Sequence, residues 1–83
     1  MNLTDLRKRA IKMLDQRGEM RSHDFTYDLV KRKHGSWSPQ GATRWAGGYM
    51  APLIRAGFVK QRFDRTNFGI YYSVTAAGRA AVR

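Results

Sequence analysis

The chain has 83 residues, the length of one domain, and its lack of cysteine excludes disulfides and thiolate metal sites. Sixteen lysines and arginines oppose six acids, and the resulting net charge of +10 favours polyanionic partners, nucleic acid above all. No stretch approaches the roughly 20 apolar residues of a membrane span, and the charged N-terminus lacks a signal-peptide core. We expect one domain over residues 1–83, located in the cytoplasm, with no membrane contact.

The first half of the chain predicts two helices. Apolar residues recur at helical spacing over residues 3–17, which indicates an amphipathic helix that ends at Gly18. Residues 19–21 read as a short extended piece. A second helix then begins with Ser22 or Asp24 as its cap, turns Phe25 and Leu29 inward, and ends after a basic run at residues 31–34.

The third segment carries the strongest helical pattern. Ser38 and Pro39 predict a capped start, and Gly57 predicts the end. One apolar stripe, which we expect to be core, runs between them: Ala42, Trp45, Ala46, Tyr49, Met50, Leu53 and Ile54. The glycine pair 47–48 weakens this helix, and Pro52 predicts a kink or a full break.

The pattern changes after Gly57 from helix to strand. Residues 58–63 and 70–74 are rich in β-branched and aromatic side chains and are separated by a turn-rich connector, so they predict a β-hairpin. Tyr71 and Tyr72 should face opposite sides of it. Thr75 then caps a short helix over residues 76–82.

Two phrases in the second half resemble those of winged-helix transcription regulators. LIRAGFV at residues 53–59 is similar to the passage from recognition helix to wing, and YSVTAAG at residues 72–78 is similar to the passage that leaves the wing. The order of elements resembles the MarR-like and PadR-like regulators over nearly the whole chain. The resemblance implies an α+β winged helix-turn-helix fold, with a three-helix core, a C-terminal hairpin wing and a short terminal helix.

The same resemblance implies sequence-dependent binding of double-stranded DNA by a small transcription regulator. The third helix would enter the major groove, and the hairpin would touch the backbone or the minor groove. Opposite the apolar stripe, a helical wheel groups Gln40, Arg44, Gly47, Gly48, Ala51 and Arg55. Arg44 suits guanine and Gln40 suits adenine, whereas Arg55 and the flanking Thr43 suit phosphate.

Further candidate contacts come from the hairpin and from the end of the second helix. They are Lys60, Arg62, Arg65, Asn67, Lys31 and Lys33. They belong to a window, residues 29–63, that contains seven cations and no acid, or to the hairpin tip just after it. Alternatives stay open: a solvated basic surface, an ordinary charged turn, or a glycine pair that packs against another helix. Trp37 either shields the turn before the third helix or touches a sugar.

Other classes of function are weaker on the residues. Ser22, His23 and Asp24 are adjacent and cannot form a catalytic triad, and no phosphate-loop ending follows the glycines, so we expect no enzyme, metal or cofactor. Three alternatives to a regulator remain: an excisionase-like accessory factor of a phage or mobile element, a protein-interaction module that inhibits a host complex, and an RNA-binding domain. A homodimer is also open, because one recognition helix reads only a few base pairs.

Overall fold

A computed structural model describes residues 2–30 and 37–83, which form four helices and one three-stranded antiparallel sheet. In chain order the elements are α1 (Asp5–Arg17), β1 (Met20–Arg21), α2 (Ser22–Val30), α3 (Pro39–Arg55), β2 (Val59–Asp64), β3 (Gly69–Val74) and α4 (Ala76–Ala81). The fold class is therefore α+β, in the predicted order of elements. The predicted basic run at residues 31–34 and the stop at Gly35 lie outside the described residues.

Side-chain caps fix the starts of three helices. Thr4, Ser38 and Thr75 have extended backbones, and each hydroxyl accepts from the N–H group three residues later. The cap at Thr4 is why α1 begins at Asp5, two residues after its predicted start. The predicted cap of the second helix is wrong in detail, because Ser22 is already the first residue of α2 and its hydroxyl bonds to Thr43 instead.

Helix α3 runs without interruption through Pro52 to Arg55, so the predicted alternative of a full break is wrong. The missing N–H of Pro52 removes one helical bond, but the burial of Met50 and Leu53 on either side of it holds the turn in place. Gly57 follows with a φ of +81°, a left-handed conformation that glycine adopts without strain and that turns the chain into β2.

The core lies between the helices and one face of the sheet. Its largest fully buried side chains are Tyr72, Phe25, Ile11, Leu14, Leu29, Met50, Leu53 and Val59. Three residues of the predicted stripe, Trp45, Tyr49 and Ile54, are only partly buried. Trp45 sits at the rim because its ring stacks on Tyr49, with centroids 4.8 Å apart, and meets Trp37 edge-on.

The sheet has the strand order β1-β3-β2. Val59 pairs with Val74 at the base of the hairpin and Asp64 pairs with Gly69 at its tip. Tyr72 is fully buried and Tyr71, on the opposite face, is half-buried, as the alternation predicts. The core face continues toward the tip through Ile70, which is partly buried and packs against the core, and through its exposed partner Phe63.

Candidate nucleic-acid interface

Three hydroxyl groups of α2 bond to the first turns of α3 and to the segment just before it. The Ser22 and Thr43 hydroxyl oxygens lie 3.0 Å apart. The buried Thr26 hydroxyl lies 2.8 Å from the carbonyl oxygen of Ala42, to which it donates, and the Tyr27 hydroxyl donates to the carbonyl oxygen of Trp37 at 2.6 Å. Hydrogen bonds have preferred directions, so the three at this packed junction fix the angle between α2 and α3.

The side of α3 opposite its apolar stripe is exposed along most of its length. Gln40, Arg44, Gly47, Gly48 and Arg55 are all exposed, in agreement with the helical wheel, and only Ala51 between them is partly covered. A Cβ added at Gly47 or Gly48 would meet nothing within 4 Å among the described residues. The glycine pair therefore packs against no described element, and it forms a shallow, open stretch between two cationic positions.

Ion pairs engage most of the acids but not the cations of this face. Arg17 pairs with Asp28, Arg79 pairs with Asp15 at 2.8 Å, and Arg62 pairs with Glu19 at 2.8 Å. By contrast, the exposed side chains of Arg44, Arg55, Lys60 and Arg65 make no ion pair or hydrogen bond with any residue of 2–30 or 37–83. The unpaired positive charge of the described chain thus includes the exposed face of α3 and the hairpin.

Arg62 is exposed, but its guanidinium is engaged by neighbouring side chains. Its guanidinium donates to both carboxylate oxygens of Glu19, approaches Asp64, and lies 4.6 Å above the ring of Tyr71. The hydrogen bonds to Arg62 lower the pKa of Glu19, and the same bonds raise the pKa of Arg62. Of the predicted hairpin contacts, Arg62 is the one whose charge is already matched.

Asn67 also has partners within the hairpin tip. Its amide oxygen accepts from the Gly69 N–H at 2.8 Å, and its amide nitrogen donates to the Tyr71 hydroxyl at 2.8 Å. On the other side of the turn, the Thr66 hydroxyl and backbone N–H both donate to Asp64, which lowers the pKa of that carboxyl. These bonds shape the turn and leave Arg65 projecting from it.

A cleft of about 540 Å³ separates the N-terminal half of α3 from the hairpin tip. One wall carries the predicted contacts Gln40, Thr43 and Arg44, and the opposite wall carries Asn67, Phe68 and Ile70. Arg21 and His23 lie between the walls. The structure thus brings Gln40, Thr43 and Arg44 to the same cleft as Asn67, although they are more than twenty residues apart in sequence. The other predicted contacts on α3 and the hairpin do not line it: Gly47, Gly48, Arg55, Lys60, Arg62 and Arg65.

Arg21, Phe68 and Gly41 are features of this surface that the sequence interpretation missed. Arg21 donates to the Asn67 carbonyl oxygen at 3.4 Å and lines the cleft. Phe68 is 79% exposed. A Cβ at Gly41 would lie 2.8 Å from the Trp37 indole nitrogen, so that ring packs over the start of α3. Of these three residues, only Phe68 gives a signal in the sequence, because it is an aromatic residue within a predicted turn and next to Gly69.

Two predicted contacts, Lys31 and Lys33, lie outside the described residues. No described helix has the length and apolar character needed to cross a membrane. Among residues 2–30 and 37–83, no three His, Cys, Asp or Glu side chains come together as a metal site. No protein-family model, curated protein or solved structure matches this chain.

Proposed function

We propose that the chain is a winged-helix domain that binds double-stranded DNA in a sequence-dependent way and acts as a small transcription regulator. In this proposal α2 and α3 are the helix-turn-helix pair, α3 is the recognition helix and β2–β3 is the wing. The order of elements and the hydroxyl bonds that fix α3 on α2 support the assignment, because a recognition helix must be held at one angle to read base edges.

The observation that carries the proposal is the exposed face of α3. Arg44 and Arg55 stand on either side of Gly47 and Gly48. Both arginine side chains are exposed with no ion pair or hydrogen bond to the described residues, and a Cβ at either glycine would meet nothing within 4 Å among them. A helix about 10–12 Å across fits a major groove about 12 Å wide, and the absence of side chains in its middle lets the backbone come closer to the base edges.

The cleft suggests how the duplex lies on this surface. A DNA strand that crosses it would place its phosphates near Arg21 and Thr43, with Arg44 and Gln40 in one groove and the wing over the next. In this proposal the Ser22 hydroxyl donates to that of Thr43, which leaves the single hydrogen of the Thr43 hydroxyl to donate to a phosphate. Lys60, Arg65 and Arg55 add charge along the backbone.

Titration against nucleic acids over a range of salt concentrations tests the proposal. Fluorescence anisotropy with labelled duplex DNA, single-stranded DNA and duplex RNA should show tightest binding to duplex DNA, with the logarithm of affinity falling by about 0.9 per phosphate neutralised for each tenfold rise in salt. Enrichment of a random duplex library should yield a preferred site. Equal binding to all three nucleic acids, or tighter binding to RNA, would contradict it.

A protein-interaction module is the second candidate, and one observation favours it. Phe63 and Phe68 are 53% and 79% exposed, and exposed large apolar side chains that lie together are a feature of protein contact sites. Binding to duplex DNA that is absent at every salt concentration would favour this candidate, since its apolar contacts do not depend on phosphate neutralisation.

A further inference from the structure

We propose that Phe68 is an apolar wedge that enters the base stack of bound DNA and unstacks one base step. This inference rests on the proposed function and extends it, because it makes the hairpin tip a device that deforms the duplex as well as one that grips it. The wedge would act in the groove adjacent to the one that α3 occupies.

Neither packing nor solvation accounts for a phenyl ring at this position. Phe68 is 79% exposed, and its only ring contact within residues 2–30 and 37–83 is with Phe63, itself 53% exposed, at a centroid distance of 6.4 Å. Burying a side chain of this size is among the main stabilising contributions that a small domain has. This ring forgoes most of that contribution.

The backbone also disfavours phenylalanine here. Phe68 has a φ of +54°, the one non-glycine residue among those described with a positive φ. Bulky residues rarely adopt this left-handed conformation, which glycine, asparagine and aspartate tolerate. A residue that is both strained and exposed points to a role outside the folding of the chain.

The turn holds the ring in one place. Asn67 on one side bonds to the Gly69 N–H and the Tyr71 hydroxyl, which fixes the backbone around Phe68. Phe63 lies on the neighbouring strand and supports the ring at an interplanar angle of 53°. A wedge must be held in place in this way, because the entropy cost of ordering a freely rotating ring would offset the energy gained by stacking.

The charge around the ring identifies the partner as a polyanion. Arg65 projects from the same turn, Arg21 lies across the cleft that Phe68 lines, and the Asp64 carboxylate is already engaged by Thr66. An apolar tip between cations fits a duplex, which presents phosphates outside and base faces within. Apolar side chains inserted between base steps unstack them and bend DNA by roughly 20–90°.

The test uses a duplex enriched from a random library by the native protein, with 2-aminopurine substituted at successive positions and fluorophores at both ends. We expect 2-aminopurine fluorescence to rise at one base step, and energy transfer between the ends to report a bend. Phe68→Asn should abolish both signals, because asparagine tolerates the left-handed backbone and removes the ring. Phe68→Leu should retain part of both signals, since leucine also serves as a wedge. Arg79→Ala, which lies in α4 away from the hairpin tip and removes an arginine paired with Asp15, should retain both.

Thermal melting separates a folding defect from a lost wedge, since Phe68→Asn should melt at or above the native temperature. A native protein that fails to bind any duplex overturns the proposed function and the wedge with it. A native protein that binds tightly with no change in fluorescence overturns the wedge alone. A dimer in sedimentation that Phe68→Asn dissociates, with fluorescence unchanged, assigns the ring to a contact between copies and likewise overturns the wedge.

Discussion

The hydroxyl groups of Ser22 and Thr43 bond to each other across the junction of α2 and α3, with their oxygens 3.0 Å apart. Ser22 is 2% exposed, so its hydroxyl has little access to water. Thr43→Val keeps the shape of the side chain, removes that partner and should lower the free energy of unfolding by about 1–3 kcal/mol.

Urea denaturation of the single variants and of Ser22→Ala combined with Thr43→Val measures this coupling. The double variant should cost less than the sum of the single ones, because it leaves no hydroxyl unpaired. Strict additivity would show that the two groups do not depend on each other.

Gly47→Ala and Gly48→Ala should separate the stability of the domain from its binding. Each substitution should raise the free energy of unfolding by about 1 kcal/mol, because alanine favours the helix and its Cβ enters open space. Each should weaken binding to duplex DNA, since the methyl group keeps the helix away from the groove. Gly41→Ala is the matched control in the same helix and should destabilise, because its Cβ would meet the ring of Trp37. Affinity that rises together with stability would argue against contact between this face and DNA.

Arg44→Ala and Arg65→Ala should differ in how they affect specificity. Arg44 faces the groove, and its loss should cost about 1–3 kcal/mol on a preferred duplex and little on a scrambled one. Arg65 should meet the backbone, so its loss should weaken both duplexes alike and reduce the salt dependence by about one phosphate. Arg79→Ala, which removes the same charge from an ion pair with Asp15, serves as the control. If Arg44→Ala weakens binding to both duplexes equally, Arg44 contacts a phosphate and not a base edge.

Leu53→Ala should lower the free energy of unfolding by about 2–5 kcal/mol, because Leu53 is fully buried and truncation leaves a cavity. Ile54→Ala, at a partly buried position one residue along, should cost less. Thermal melting of both variants checks the order. A Leu53→Ala protein that melts like the native one would contradict the packing of α3 on the core.

Acid should weaken the attachment of the hairpin to the rest of the fold. The pKa of Glu19 is lowered by its bonds to Arg62, and the pKa of Asp64 by its bonds to Thr66. A carboxyl with a lowered pKa stabilises the folded state above its unfolded pKa, and this stabilisation disappears as the pH falls through the folded value. The melting temperature should therefore decline below a pH of about 4.5, and Arg62→Ala should decline less steeply than Arg65→Ala. If the melting temperatures of the two variants decline in parallel as the pH falls, the Glu19–Arg62 pair is not the cause of the acid sensitivity.

Elements with a strong local signal could be predicted from the sequence. The caps at Ser38 and Thr75, the exposed face opposite the apolar stripe and the alternation of Tyr71 and Tyr72 all depend on residues close together along the chain. The apolar periodicity predicts a start of α1 at Leu3, two residues before the observed one, because it carries no information on the extended backbone of the cap Thr4.

Features that depend on tertiary neighbours could not be predicted. The Glu19–Arg62 pair joins residues 43 positions apart, and only the sheet brings them together. The contacts of Asn67 could not be predicted from the sequence. Its amide group can donate equally well to a phosphate and to the Tyr71 hydroxyl, which is the group it contacts in the structure. Trp45 lies on the apolar stripe, yet its position at the rim depends on where Tyr49 and Trp37 place their rings.

Gly78 shows how firmly the hairpin is anchored at its base. A Cβ at this position would lie 2.2 Å from the Phe58 carbonyl oxygen, while Thr75 donates to the carbonyl oxygens of Phe58, from its N–H, and of Gly57, from its hydroxyl. Hydrogen bonds and close packing thus hold the first turn of α4 against the residues that lead into β2. The turn at the opposite end of the hairpin, residues 65–68, is exposed. The hairpin is therefore fixed at its base and exposed at its tip. A methyl group at Gly78 would push Phe58 and the start of β2 away from α4, and this shift would change the angle at which Phe68 meets its partner.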